Sequence, residues 1–168
     1  MKAWKLGRDV ELRPILVHCL QVDGVDRLIL ALRQDQDGTL LYPEMQLALE
    51  RIFGSHILEL KTGKRWPGTD STMRDCNLAV IEVDASLIAP MCSAGPKLFD
   101  WTGWPAPVLP EDLCLYRQGA EWPSLMSVTH EHDAWILAQE KPELIDGEEE
   151  EFRPAEFHIP PASEGFIL

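Results

Sequence analysis

Basic residues are scarce in this sequence. Its 168 residues include 28 Asp and Glu but only 15 Lys and Arg, which gives a formal net charge of −13. Proteins that bind nucleic acids or anionic membranes do so mainly through clustered Lys and Arg side chains. We therefore expect neither a nucleic acid nor a membrane as the partner of this protein.

Long apolar runs are also lacking. Runs such as residues 15–17 and 28–32 are far shorter than the roughly 20 residues that a membrane-spanning helix needs. The first residues are followed by the charged Arg8, Asp9, Glu11 and Arg13 and not by the apolar centre of a secretory leader. The sequence therefore predicts a cytoplasmic protein.

Paired cysteines are absent. The chain has four cysteines and no Cys-x-x-Cys spacing, which excludes the common zinc and redox motifs. In a chain of this kind they are expected to be reduced and mostly buried thiols. They are Cys19, Cys76, Cys92 and Cys114.

No catalytic signature is present. No serine lies in a Gly-x-Ser-x-Gly segment, and the Lys61-Thr62-Gly63-Lys64 segment lacks the preceding glycine of a phosphate-binding loop. Cys76 and Cys114 have no recognisable context that would activate a thiol. We therefore expect a protein that is not an enzyme and has no cofactor.

The apolar content, 45%, is that of a soluble folded protein, and the length suits one domain. Residues 10–33 resemble a β-hairpin, because two apolar stretches flank Asp23-Gly24, a pair that favours a tight turn. Residues 43–53 resemble a short helix that Pro43 begins and Gly54 ends. Leu47, Ile52 and Phe53 would form its apolar face.

Further strands are expected from β-rich apolar runs at residues 57–60, 78–83, 113–117, 124–129 and 134–138. Asp84 or Ser86 could cap a short helix that ends at Cys92. Residues 61–75 resemble a polar loop, and the prolines of residues 93–112 exclude regular structure there. The pattern predicts an α+β fold: one curved antiparallel or mixed sheet with a few short helices on one face.

Acidic residues concentrate at the C-terminus. Residues 139–168 contain nine acids and two bases, whereas residues 1–138 are mixed, so we divide the chain into an α+β domain (1–138) and an acidic arm (139–168). Four consecutive glutamates repel one another, so residues 146–151 are expected to be a solvated loop or arm. Phe152 and Phe157 would dock the arm back on the domain.

The densest group of metal-ligand residue types is His130-Glu131-His132-Asp133. Imidazole and carboxylate groups suit zinc or manganese, and alternate residues of a strand share a face. A metal-dependent hydrolase using His130, His132 and Asp133 is therefore one hypothesis. A polar turn between two strands explains the same residues, and it is the interpretation that we prefer.

Tryptophan is frequent, with six residues, and most of them lie near prolines in expected loops. Tryptophan is enriched at the centres of protein interfaces, but it also closes cores beneath long loops. Trp101, Trp104 and Trp122 are the candidates for partner binding.

One segment resembles a known kind of protein. Leu-Pro-Glu-Asp-Leu-x-x-Tyr at residues 109–116, followed by Trp122 and the His130-Glu131 pair between two strands, is similar to small uncharacterised bacterial proteins. Such proteins are often encoded beside polymorphic toxins and are taken to be immunity proteins. The resemblance implies no catalytic residue.

Composition and resemblance together favour an immunity protein that binds a cognate toxin with a basic surface, for example a nuclease or a toxin that uses NAD or nucleotides. Such a protein would occlude the active site or the substrate surface of the toxin. The alternatives are the metal-dependent hydrolase and an adaptor or scaffold, and the oligomeric state, monomer or homodimer, stays open. The residues expected to contact the partner are Glu143, Asp146, Glu148, Glu149, Glu150, Glu151, Trp101, Trp104 and Trp122.

Overall fold

An eight-stranded antiparallel sheet with three short helices forms the single α+β domain, which confirms the predicted fold class. The computed structural model describes residues 1–32, 43–63, 65–66, 69–70, 76–103, 108–143 and 145–153. The helices are α1 (Leu12–Gln21), α2 (Pro43–Phe53) and α3 (Ile88–Ala94). The strands are β1 (Lys2–Leu6), β2 (Arg27–Leu32), β3 (Ile57–Gly63), β4 (Arg65–Trp66), β5 (Thr69–Asp70), β6 (Cys76–Glu82), β7 (Glu111–Tyr116), β8 (Leu125–Val128), β9 (Asp133–Ala138) and β10 (Gly147–Glu150).

The strand order of the sheet is β10-β1-β9-β8-β7-β2-β6-β3, and every neighbouring pair is antiparallel. Strands β4 and β5 form a separate two-stranded ribbon. Strands β10 and β3 are therefore the two edges among the described strands. Within the described ranges, no helix is both long and apolar enough to cross a membrane.

Buried residues cover both faces of the sheet. The buried side chains of α1, α2 and α3 all belong to the larger core, which lies on the helix face together with Leu30 and Ile136. A smaller cluster on the second face includes Ile29, Cys114 and Met126, and Trp122, Trp135 and Phe152 pack against it. All three described helices thus lie on one face, as predicted.

The expected hairpin at residues 10–33 is wrong in its first half, because residues 12–21 form the helix α1. The residues of α1 that are buried are Leu12, Ile15, Leu16 and Cys19, spaced as one face of a helix. Pro14 lies in the first turn, where its missing N–H breaks no helical hydrogen bond. The turn itself is confirmed, since Gly24 has φ +67° and leads into β2.

The predicted helix α2 is confirmed at both ends. It begins at Pro43, and Gly54 follows it with φ +47°, a conformation that favours glycine. The expected apolar face is partly wrong: Ile52 and Phe53 are buried, but Leu47 is 65% exposed. Met45, Ala48 and Leu49 complete the buried face instead.

The boundaries of the remaining expected strands are confirmed within one to three residues. The cap at Asp84 is also confirmed, since its Oδ1 accepts a hydrogen bond from the Ser86 N–H at 2.7 Å. That cap opens a 3₁₀ turn at Ala85–Leu87, which leads into α3. The expected loop at residues 61–75 is wrong at its start, because Lys61–Gly63 continue β3, and again where β4 and β5 pair. The rest of it lies outside the described residues.

The expected solvated loop at residues 146–151 is also wrong. Gly147–Glu150 form β10, which pairs with β1 in the register Lys5 with Glu148 and Trp4 with Glu149. Lys2 and Lys5 on β1 offset the repulsion among the glutamates, and the Lys2 Nζ lies 2.9 Å from the Glu149 carboxylate. Residues 154–168 of the arm, with Phe157, lie outside the described residues.

Candidate functional site

The side chains of the His130–Asp133 segment point to three different partners. His132, at φ +60° after a 3₁₀ turn, packs its ring against Phe99 with the centroids 5.6 Å apart. The Asp133 carboxylate lies 2.8 Å from the Lys5 Nζ, and the hydrogen bond from Lys5 to it raises the pKa of Lys5. The three ligands of the metal hypothesis, His130, His132 and Asp133, therefore do not come together, and the segment is a turn between β8 and β9.

His130 instead lies beside two buried carboxylates that the sequence analysis did not single out. Its Nδ1 is 3.8 Å from the Asp112 Oδ1, and Glu111, Asp112 and His130 are the one described group whose potential ligand atoms lie within 4.8 Å of one another. Glu111 and Asp112 begin β7 and are only 3% and 1% exposed.

Hydrogen bonds from the protein occupy these carboxylates. The Glu111 Oε1 accepts bonds from the Gly103 N–H at 2.8 Å and from the Thr102 hydroxyl at 3.2 Å. The Asp112 Oδ1 accepts from the Thr129 N–H at 2.8 Å, and the Asp112 N–H donates to the Thr129 Oγ1 at 3.1 Å. This buried polar cluster therefore joins the start of β7 to the end of β8 and supports the sheet.

A local signal for this cluster exists in the sequence, since a Glu-Asp pair stands directly before the apolar run of β7. Its partner Thr129, however, lies 17 residues further along the chain and comes close only through the β7–β8 pairing. No pattern of residue spacing identifies such a contact before the topology is known.

The thiols agree with the expectation of reduced and mostly buried cysteines. Cys19, Cys76 and Cys114 are buried and Cys92 is half-buried, with no disulfide among them. Burial raises the pKa of the Cys19, Cys92 and Cys114 thiols, which lowers the fraction of reactive thiolate. Cys19 and Cys114, which are fully buried, are therefore the least reactive of these thiols.

We expect one thiol, Cys92, to react first when the native protein is treated with DTNB at pH 8, since it alone is partly exposed. In denaturant all four cysteines should react. The Cys92→Ser variant should lack the early phase while keeping the other three thiols protected. An early phase that survives this substitution would contradict the burial described here.

The tryptophans that the sequence predicts to contact a partner differ in their burial and in their contacts. Trp101 is fully buried beside Phe53, and its Nε1 donates to the Gly95 carbonyl at 3.3 Å, so the prediction that Trp101 binds a partner is wrong. Trp104 lies outside the described residues. Trp122 is half-buried and packs edge-on against Phe152, with the ring centroids 5.4 Å apart.

Most of the predicted acidic contacts already have an intramolecular partner. Glu149 pairs with Lys2, the Glu150 Oε2 accepts a bond from the Trp135 Nε1 at 2.8 Å, and Glu151 pairs with Arg153. Arg153 lowers the pKa of Glu151 through a hydrogen bond. The Asp146 carboxylate lies 3.4 Å from the Lys141 Nζ.

Glu143 and Glu148 differ from the other predicted acids. Both are exposed, and neither has a side-chain hydrogen bond or ion pair with another described residue. Glu148 lines a surface cleft of about 380 Å³ together with Lys5, Arg8, His132 and Asp146. These two glutamates are the acids most available to an external cation.

Phe152 connects the acidic strand to Trp122. It lies two residues after the end of β10 and contacts Trp122, which lies 30 residues earlier in the chain. Trp122 in turn lines a second groove, of about 530 Å³, with Val22 and Leu137. We call the surface formed by Glu148–Phe152 and Trp122 the acid–aromatic surface.

Comparisons with known proteins give no relative for this chain. No family model matches it, and neither a curated protein nor a solved structure is significantly similar to it. The resemblance of residues 109–135 to immunity proteins therefore stays a prediction, and the chain is assigned to no family.

Proposed function

We propose that this protein is an immunity protein that binds a basic surface of a cognate bacterial toxin through the acid–aromatic surface. The observation that carries the proposal is the contact between Phe152 and Trp122, which places an aromatic pair beside the glutamates of β10. Apolar aromatic anchors surrounded by charged residues are typical of tight protein interfaces.

The charge of this region supports a basic partner. Residues 139–153 contain seven acids and two bases. The ion pairs of Glu149 and Glu151 are exposed and contribute little to stability, so a cationic partner can compete for these carboxylates. Glu143 and Glu148 form no ion pair with another described residue, so no ion pair has to break before they bind a cation.

The acidic surface of this protein has the same sign of charge as a nucleic-acid or nucleotide substrate, and this supports occlusion of the substrate site as the mode of action. A toxin that acts on nucleic acid or on nucleotides needs a cationic cleft to hold phosphate groups. An acidic protein surface is attracted to the same cleft, which accelerates association and excludes the anionic substrate once bound.

The test uses the product of the gene immediately upstream as the candidate toxin and measures association and dissociation rates at several salt concentrations. We expect the E143Q/E148Q variant to associate about 3- to 10-fold more slowly at low salt, and this difference should vanish at high salt. The matched control is E44Q/E50Q, which removes two exposed acids from α2 and should leave the association rate unchanged.

The aromatic part of the surface is tested by Trp122→Ala in the same assay. Loss of a central anchor should raise the dissociation rate about 10-fold or more, with little change in the association rate. Equal effects of both acid pairs would remove Glu143 and Glu148 from the interface. Absence of binding to the upstream product by the unaltered protein would overturn the proposal.

A further inference from the structure

The two edges of the sheet differ in their chemistry. An edge strand presents unpaired backbone N–H and C=O groups, which can pair with another chain. The β10 edge carries Glu148, Glu149 and Glu150, so two copies of it would repel each other. The β3 edge has the sequence Ile-Leu-Glu-Leu-Lys-Thr-Gly, with no excess of either charge.

Exposed leucines lie at the β3 edge. Leu58 is 51% and Leu60 is 54% exposed, although most large apolar side chains of the described residues are buried. Leu47, on the helix that leads into β3, is 65% exposed. A monomer leaves these three side chains in water, which an apolar contact would avoid.

The pairing of β3 with β6 shows which side chains of β3 share a face. Leu60 lies opposite Ala79 of the helix-face core, whereas Lys61 lies opposite Leu78 of the second-face cluster. Because side chains alternate along a strand, Glu59 shares the second face with Lys61, and both flank Leu60.

We propose that a second copy of this chain binds at β3, so that the two sheets join antiparallel into one across a two-fold axis at Leu60. A two-fold axis perpendicular to the sheet leaves each side chain on the same face of the joined sheet. Residues that lie directly opposite each other must share a face, so the axis has to pass beside a residue that pairs with its own copy. The centre at Leu60 places Glu59 opposite Lys61 of the second copy, twice by symmetry, and Leu60 opposite its own copy.

Neighbouring registers are unfavourable. A centre at Glu59 or at Lys61 would place two like charges directly opposite each other. A centre at Leu58 would fall on the irregularity between Ile57 and Glu59, where the β3–β6 register shifts. Lys61 already interacts within its own chain, and the pairing with Glu59 adds to that contact.

The affinity follows from the size of this interface. The register pairs residues 58–62 of each copy, far fewer than the roughly 20–30 residues per side of a standard stable interface. We therefore expect reversible self-association with a Kd of about 1–100 μM. This inference is independent of the proposed inhibition of a toxin.

Sedimentation velocity of the full chain between about 1 and 200 μM tests the association. The mass should rise from 19.0 kDa toward twice that value as the concentration increases. Leu60→Lys should weaken the dimer at least 10-fold, because it places two lysines on the axis. Val22→Lys is the matched control, since Val22 is 71% exposed and distant in the chain from β3, and it should leave the dimer intact.

Cross-linking tests the register without depending on affinity. Under mild oxidation Leu60→Cys should form an intermolecular disulfide, since paired Cα atoms on the axis lie about 4.5–5.5 Å apart. Thr62→Cys should not, because its two copies would lie about 14 Å apart along the strands. The proposal would be overturned if the protein stayed a monomer at every concentration, or if Leu60→Lys dimerised as strongly as Val22→Lys. Faster cross-linking at residue 62 than at residue 60 would also overturn it.

Discussion

Replacing Trp101 by Ala is expected to lower the free energy of unfolding by about 4 kcal/mol, the largest loss from any single side chain discussed above. The indole is fully buried and packs against Phe53 of α2 at a centroid distance of 6.0 Å. Its removal would leave a cavity between α2 and the 3₁₀ turn at Leu98–Asp100, and would leave the Gly95 carbonyl without the indole donor.

Gly95, directly after α3, lies against the Trp101 ring and has no side chain that could move into the cavity. A Cβ on residue 95 would lie 2.8 Å from the Trp101 Nε1 and 2.9 Å from its Cδ1, so the ring lies directly on the backbone after α3. The ring and the glycine thus form one close-packed unit, and the loss of the ring removes contacts that no neighbouring side chain can restore.

Urea denaturation followed by far-ultraviolet circular dichroism measures the effect, because the substitution would alter tryptophan fluorescence itself. Trp122→Ala is the matched control, and its half-buried position predicts a loss of about 1 kcal/mol. Similar losses in both variants would contradict the assignment of Trp101 to the core and Trp122 to the surface.

Replacing Asp112 by Ala is expected to lower the free energy of unfolding by about 3 kcal/mol. The buried Thr129 N–H would lose its acceptor, which costs about 1–3 kcal/mol. Residue 112 also has φ +56°, a conformation that Asp tolerates and that costs Ala about 1 kcal/mol more.

Asp112→Asn separates these causes from the negative charge. The amide keeps an acceptor oxygen for Thr129 and tolerates the left-handed conformation, so its cost should be about 1 kcal/mol. Both variants are compared by urea denaturation at pH 7. Equal losses would mean that the fold needs the charge rather than the acceptor, and would favour a cation between Glu111, Asp112 and His130.

Four strands, β2, β6, β7 and β9, were predictable because each carries an unbroken apolar run. In β6 and β7 both faces of the sheet are covered, so the apolar runs at residues 78–81 and 113–116 are continuous and unambiguous. Helix α1 was not predictable in the same way, because Ile15, Leu16 and Val17 form a short run that resembles a strand. Its helical spacing is evident only once Leu12 and Cys19 are known to be buried.

The site was less predictable than the fold. The acidic arm was identified from composition, but its strand depends on the lysines of β1, which lie about 145 residues away in the sequence. Trp101 is buried against Gly95, whereas Trp122 is half-buried against Phe152. No local sequence pattern identifies either contact. The sequence carries the residue types, whereas the topology decides which of them meet.

The position of β1 has a consequence for how the chain folds in the cell. This strand is synthesised long before its two neighbours in the sheet, β9 and β10. Until residue 150 has emerged, Ala3, Trp4 and Leu6 cannot complete their pairing and stay exposed to water. The sheet can therefore close at β1 only after β10 has been synthesised, and β1 is the part of the nascent chain that most needs a chaperone.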